Sequence, residues 1–232
     1  MSAPRGRIDA LDAWRSLCLA VMVGFHLCWD LSLFGRFPAE ALRGPAAKIV
    51  TYVFGGSFIL ISGAVSFGAR RNVRRGFAVL CWGLAVTAVT ALLRLPVAFG
   101  ILHLLGVCKM LYGAAEAKIA PRSGARFAAV CALLFAGTWL GTALVRVPVR
   151  WLYPLGLRAA DFWSADYWPL LPWAFLFLLG TALGRRLFTR PESRFARAAL
   201  PAALTWPGRR SLLIYLLHQP LLYGACLLLF RG

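Results

Sequence analysis

Seven apolar runs separated by short polar or basic segments organise this chain: 13–34, 46–68, 77–93, 97–115, 127–145, 168–187 and 211–230. A helix needs about 20 mostly apolar residues to cross a bilayer, and most of these runs reach that length. The pattern predicts an all-α integral membrane protein, a polytopic bundle of about seven transmembrane helices. The third run is short and the fifth is rich in Gly and Thr, so their boundaries are the least marked. The long connection, 146–167, holds Trp151, Tyr153, Trp163 and Tyr167, and Trp168 follows at the next helix start. Such aromatics suit a membrane–water interface. With no convincing repeat or second domain, residues 1–232 read as one transmembrane domain.

Composition agrees with the pattern. Hydrophobic residues make up 60% of the chain and the mean hydropathy is +0.71, well above an ordinary globular domain. The net charge of +18 does not indicate nucleic acid, because the Arg residues punctuate the apolar runs instead of forming one basic face. All six cysteines lie in apolar runs without a C-x-x-C pair, which fits small buried hydrophobes better than zinc ligands or disulfides. Arg5 and Arg7 before the first run imitate a secretory signal. Its length, its polar residues and its lack of a small-x-small site make it an uncleaved first span.

Orientation follows from where the basic residues fall. With the N-terminus inside, most of them group on that side: Arg5, Arg7 and Arg15; Arg70, Arg71, Arg74 and Arg75; Lys118, Arg122 and Arg126; and the run from Arg185 through Arg190, Arg194 and Arg197 to Arg210. The opposite side has fewer, including Arg36, Arg94, Arg146 and Arg231. This bias predicts an N-in, C-out topology. At the helical rise, His26 lies roughly 20 Å above the inner end of the first span, with Asp30 about one turn further out. His103 lies about 9 Å below the outer surface, so His26, Asp30 and His103 share the outer half. His218 sits roughly 12 Å from the inner end of the last span. Pro220, two residues on, frees a backbone carbonyl that needs a polar neighbour.

The candidate chemistry lies in those spans. Ionisable groups are costly in hydrocarbon, so intramembrane His26 and Asp30, at i,i+4 on one helix face, point to function. Histidine suits general-base work, and Asp30 is placed to hold its tautomer and stabilise its cation. His103 and His218 are further acid–base candidates. The spacing of the three histidines carries no metal motif. Arg70, Arg71, Arg74 and Arg75 are denser than orientation requires, and guanidinium forks bind phosphates, which fits a phosphorylated cytosolic donor such as coenzyme A. Lys109 lies mid-span and either snorkels or lines a polar cavity. Asp166, before Trp168 and two prolines, reads first as a cap for its own helix, with contact to an outer-side acceptor as the alternative. No P-loop, G-x-G-x-x-G or G-x-S-x-G is present.

Several segments resemble the heparan-alpha-glucosaminide N-acetyltransferase catalytic-domain family, in its short bacterial branch. They are Asp12-Ala13-Trp14-Arg15-Ser16 with Met22 to His26, Phe58 to Gly63, Phe99 to Gly106, Ala165 to Trp173, and Ser211 to Pro220. Ser16 stands where a glycine is usual, and the loop histidine used by the longer lysosomal enzyme has no counterpart here. His26 with Arg70–Arg75 also resembles acyltransferase-3-type proteins. The resemblance implies a multi-pass acyltransferase of the bacterial inner membrane. Acetyl-CoA or another acyl-CoA would be the donor, without a metal, and a sugar hydroxyl or amine of an envelope glycan or glycolipid the acceptor. Partners would be the bilayer and that acceptor, not nucleic acid, with a homodimer left open. The alternative is a proton-coupled transporter using the buried His, Asp and Lys. It lacks an evident inverted repeat. A scaffold whose polar groups only join helices is a third.

Overall fold

The computed structural model describes residues 7–189 and 199–230. Arg5, Arg190, Arg194, Arg197 and Arg231, which enter the orientation argument, lie outside the described residues. Among those described, the chain is helical without strands. The helices are α1 (Asp9–Leu33), α2 (Ala39–Arg43), α3 (Pro45–Ser66), α4 (Asn72–Leu92), α5 (Ile101–Ile119), α6 (Ala125–Leu144), α7 (Leu170–Thr189), α8 (Ala202–Arg209) and α9 (Ser211–Phe230). Six of them, α1, α3, α4, α6, α7 and α9, are long and apolar enough to cross a membrane. The seventh expected span corresponds to α5, which carries Lys109, Glu116 and Lys118. Large apolar side chains stand open on the helix surfaces, with Leu92 at 86%, Leu144 at 74% and Leu228 at 88% exposure. Such surfaces need lipid as their solvent. The protein is an all-α, multi-pass membrane protein.

The chain forms two compact units, 1–58 with 190–232, and 59–189, and α3 passes from one to the other. In the first unit α1 packs on α8 and α9. In the second, α4 pairs with α5 and α6 with α7. The second unit also holds a tight helix contact that gives no apolar signal. Gly180 and Gly184 of α7 lie against Leu60 and Ala64 of α3, and a Cβ on Gly180 would sit 2.0 Å from the Leu60 carbonyl oxygen. This small-x-x-x-small spacing lets two backbones touch, the packing available where no hydrophobic drive separates helix from lipid.

Candidate active site

In the first unit, the unbroken apolar helix α1 presents His26 and Asp30 on one face. His26 Nδ1 lies 2.9 Å from the Met22 carbonyl oxygen, one turn back. A carbonyl only accepts, so Nδ1 carries the hydrogen and Nε2 keeps its lone pair, a tautomer assigned from this bond. On α9, His218 repeats the arrangement, with Nδ1 2.7 Å from the Tyr215 carbonyl oxygen. The two imidazoles meet edge to face, with centroids 4.9 Å apart. His218 is buried and its Nε2 has no hydrogen-bond partner among the described residues.

Asp30 is fully buried, at 0% exposure. Its Oδ1 accepts a 2.7 Å hydrogen bond from Gln219 Nε2, while Oδ2 and Gln219 Oε1 have no partner among the described residues. Asp30 is expected to hold the His26 tautomer and stabilise its cation; the hydrogen bond from His26 Nδ1 goes to the Met22 carbonyl, while the Asp30 charge remains near the ring. Asp30 also joins α1 to α9 through Gln219. Buried acceptors without donors are costly. His218 Nε2, Asp30 Oδ2 and Gln219 Oε1 therefore suit a ligand that brings N–H or O–H groups. Gln219 was missed in the sequence, although a second polar residue beside His218 in an apolar run was its signal.

The opening motif has a different task. Asp12 is buried, and its carboxylate lies 2.5 Å from Arg7 Nε, 3.5 Å from Arg209 Nε and 4.0 Å from Arg15. Arg209 also reaches Asp9 at 2.9 Å. Ser16 Oγ donates to the Asp12 carbonyl and accepts the Gly208 N–H at 2.8 Å. The serine in place of glycine thus adds a bond between α1 and α8. This end of the motif clamps helices, and its partners on α8, Gly208 and Arg209, lie nearly 200 positions away, out of reach of local sequence reading.

His103, Asp166 and Trp168 lie in the second unit. His103 sits three residues into α5 and accepts the Gly100 N–H through Nδ1 at 3.2 Å. Its Nε2 is 3.2 Å from Thr87 Oγ1, whose own hydrogen goes to the Val97 carbonyl. Nε2 is therefore the donor to Thr87, and both ring nitrogens are in use. Position N3 returning to the N-cap N–H is the geometry of a capping box. Asp166 Oδ2 accepts the Ile101 N–H at 3.1 Å, so Asp166 caps α5. A Cβ on Gly100 would lie 2.3 Å from that oxygen, which is why a glycine stands there. The Trp168 N–H donates to the Phe99 carbonyl at 2.8 Å, and its buried ring meets Trp173 at 4.5 Å. Between them, the Tyr167 ring packs at a tilt against Phe162, with centroids 4.8 Å apart, under Arg158. Burial pushes its hydroxyl up to about 12, with Arg158 opposing the rise.

The basic segment after α3 leaves its charges open. Arg70, Arg71, Arg74 and Arg75 are all exposed, and none makes an ion pair among the described residues. They gather on the turn entering α4 and on its first turn, where the free N–H groups and helix dipole also favour an anion. Lys109, half-buried on α5, donates from Nζ to Ser66 Oγ at 3.0 Å and stands 5.9 Å from the Phe177 ring. The ammonium is thus held inside the helices instead of snorkelling freely. Among the described residues no group of three or more His, Cys, Asp or Glu is placed to hold a metal ion.

Comparison with known families gives a match to the model described as "Heparan-alpha-glucosaminide N-acetyltransferase, catalytic", over residues 7–220. No curated protein and no solved structure matches the chain. The matched stretch takes in α1 through the first half of α9, with the histidines, the capping aspartate and the arginine turn described above. The chain belongs to the heparan-alpha-glucosaminide N-acetyltransferase catalytic-domain family.

Proposed function

We propose that this membrane protein moves an acetyl or other acyl group from cytosolic acyl-CoA to a hydroxyl or amine of an envelope glycan or glycolipid, in an N-in, C-out orientation. Family membership supports an acetyltransferase-type activity and an acetyl-CoA-type donor. The observation that carries the finer reading is the His26–His218 pair. Each imidazole has Nδ1–H tied to its own helix and an Nε2 lone pair left over, the state a general base requires.

In this reading an Nε2 takes the proton of the acceptor O–H or N–H as that atom attacks the thioester carbonyl. The tetrahedral intermediate collapses, the C–S bond breaks, and the imidazolium returns the proton to the departing thiolate. Asp30 and Gln219 offer acceptors to the incoming sugar. Arg70, Arg71, Arg74 and Arg75 hold the donor phosphates, with Lys109 as a further donor-side cation. His103, Asp166 and Trp168 build the outer end of α5 and its covering loop, and do not react.

The test is transfer of labelled acetyl from acetyl-CoA to amino-sugar and hydroxyl acceptors by purified protein. His26→Ala and His218→Ala, folded as wild type, are expected to lower the rate about 10²–10⁴-fold for whichever residue is the base. Full transfer by both variants overturns the assignment. Proton or solute flux without transfer favours the transporter instead.

A further inference from the structure

Glu116, on α5, belongs to no motif, yet it touches the arginine turn at two points. Its Oε1 accepts the Gly68 N–H at 2.9 Å, and its Oε2 accepts from Asn72 Nδ2 at 3.3 Å. Asn72, the buried first residue of α4, also donates to the carbonyl of Ser66, the last residue of α3, at 2.8 Å. The turn 67–71 is therefore tied at its start, at its end and across its mouth. Within it Gly68 and Arg71 both take left-handed backbone, with φ of 63° and 64°. For Arg71 that conformation is unfavourable and persists only where the surroundings impose it.

The chemistry of the carboxylate makes this arrangement informative. A Glu beside four guanidiniums would most simply form an ion pair with one of them. Glu116 makes no ion pair among the described residues and commits both oxygens to the turn and to Asn72. The arginines stay available for an external anion while the turn that carries them is fixed. We propose that Glu116 is a positioning residue: it holds the 67–71 turn so that Arg70 and Arg71 meet the phosphates of the acyl donor. This rests on the assignment of the arginine turn to the donor under the proposed function.

The inference has a sign that electrostatics alone would reverse. Removing a negative charge near a phosphate site should tighten anion binding. Releasing the turn should weaken it, because two guanidiniums lose their preset orientation. Coenzyme A binding to the full chain in detergent micelles, measured by calorimetry, reads the difference. Glu116→Ala is expected to weaken coenzyme A binding about tenfold, the scale of one lost charge-assisted phosphate contact. The donor KM should rise in parallel, and kcat at saturating donor should move far less. Glu116→Gln keeps an acceptor for the Gly68 N–H and should recover part of the loss. Asn72→Ala cuts the second tie from the other side and serves if Glu116→Ala does not fold. Tighter or unchanged binding in Glu116→Ala and Asn72→Ala, with Arg70→Ala and Arg71→Ala weakened, overturns the inference alone. Unchanged binding in the arginine variants overturns the donor assignment beneath it.

Discussion

Replacing His103 separates a capping histidine from a catalytic one. In His103→Ala the Gly100 N–H loses its acceptor at the buried start of α5, and Thr87 loses the Nε2–H donor. The first loss costs about 1–3 kcal/mol and the second about 1 kcal/mol, before counting the void left by the ring. The sum is of order 2–4 kcal/mol, a large part of the stability of an ordinary domain. His103→Gln behaves differently. Gln is a usual N3 partner in a capping box, so its carbonyl accepts the Gly100 N–H and its NH₂ reaches toward Thr87. It should therefore restore all but about 1 kcal/mol of the loss. Gln is no general base. The assay is unfolding in a mild detergent for each variant, with acetyl transfer normalised to folded protein. The expected result is a destabilised but active His103→Ala and a near-normal His103→Gln. A His103→Gln protein as stable as wild type, yet about 100-fold slower, would refute the claim that His103 only caps α5 and return it to the chemistry.

Three further outcomes follow from the same structure. Gly180→Ala puts a Cβ 2.0 Å from the Leu60 carbonyl oxygen, so α7 must move off α3. A loss of about 1–3 kcal/mol in detergent unfolding is expected, and an unchanged midpoint contradicts the close contact. Asp30→Asn supplies an amide that both accepts from Gln219 Nε2 and donates to the unpartnered Oε1, so it should be at least as stable as wild type. Asp30→Ala leaves half-buried Gln219 unpaired and should lose about 1–3 kcal/mol; equal losses in the two variants would refute this pairing. Tyr167 should titrate near 12, against the ordinary value of 10, in an absorbance difference between wild type and Tyr167→Phe. Between those values the folded state holds a proton that the unfolded state releases, so the loop should lose stability as pH rises through that window. A difference titration centred near 10 would show the phenol to be solvated.

What could be read from the sequence was what repeats locally. Every apolar run became a helix, because some 20 apolar residues in a row have one low-energy answer in lipid. The error was in the ends. α4 begins at Asn72, well before the run at 77, since Arg74 and Arg75 end an apolar pattern without ending a helix. Residue choice was partly legible too, because polar groups within apolar runs are costly enough to stand out, as His26, Asp30 and His218 did. Their partners were not. Gln219 for Asp30, Arg209 for Asp12 and Asp166 for the start of α5 are set by packing between segments far apart in sequence. Glu116 gave no signal in the sequence, since its bonds go to a backbone N–H and an amide.

The most direct measurement of the central claim uses the protein in sealed vesicles, with labelled acetyl-CoA outside and an amino-sugar acceptor inside. The account predicts labelled product in the lumen from molecules whose arginine turn faces the donor, with none formed by a folded variant lacking both His26 and His218 imidazoles. Product formed at the wild-type rate by that double variant, or donor left intact while protons or sugar cross the membrane, would contradict it.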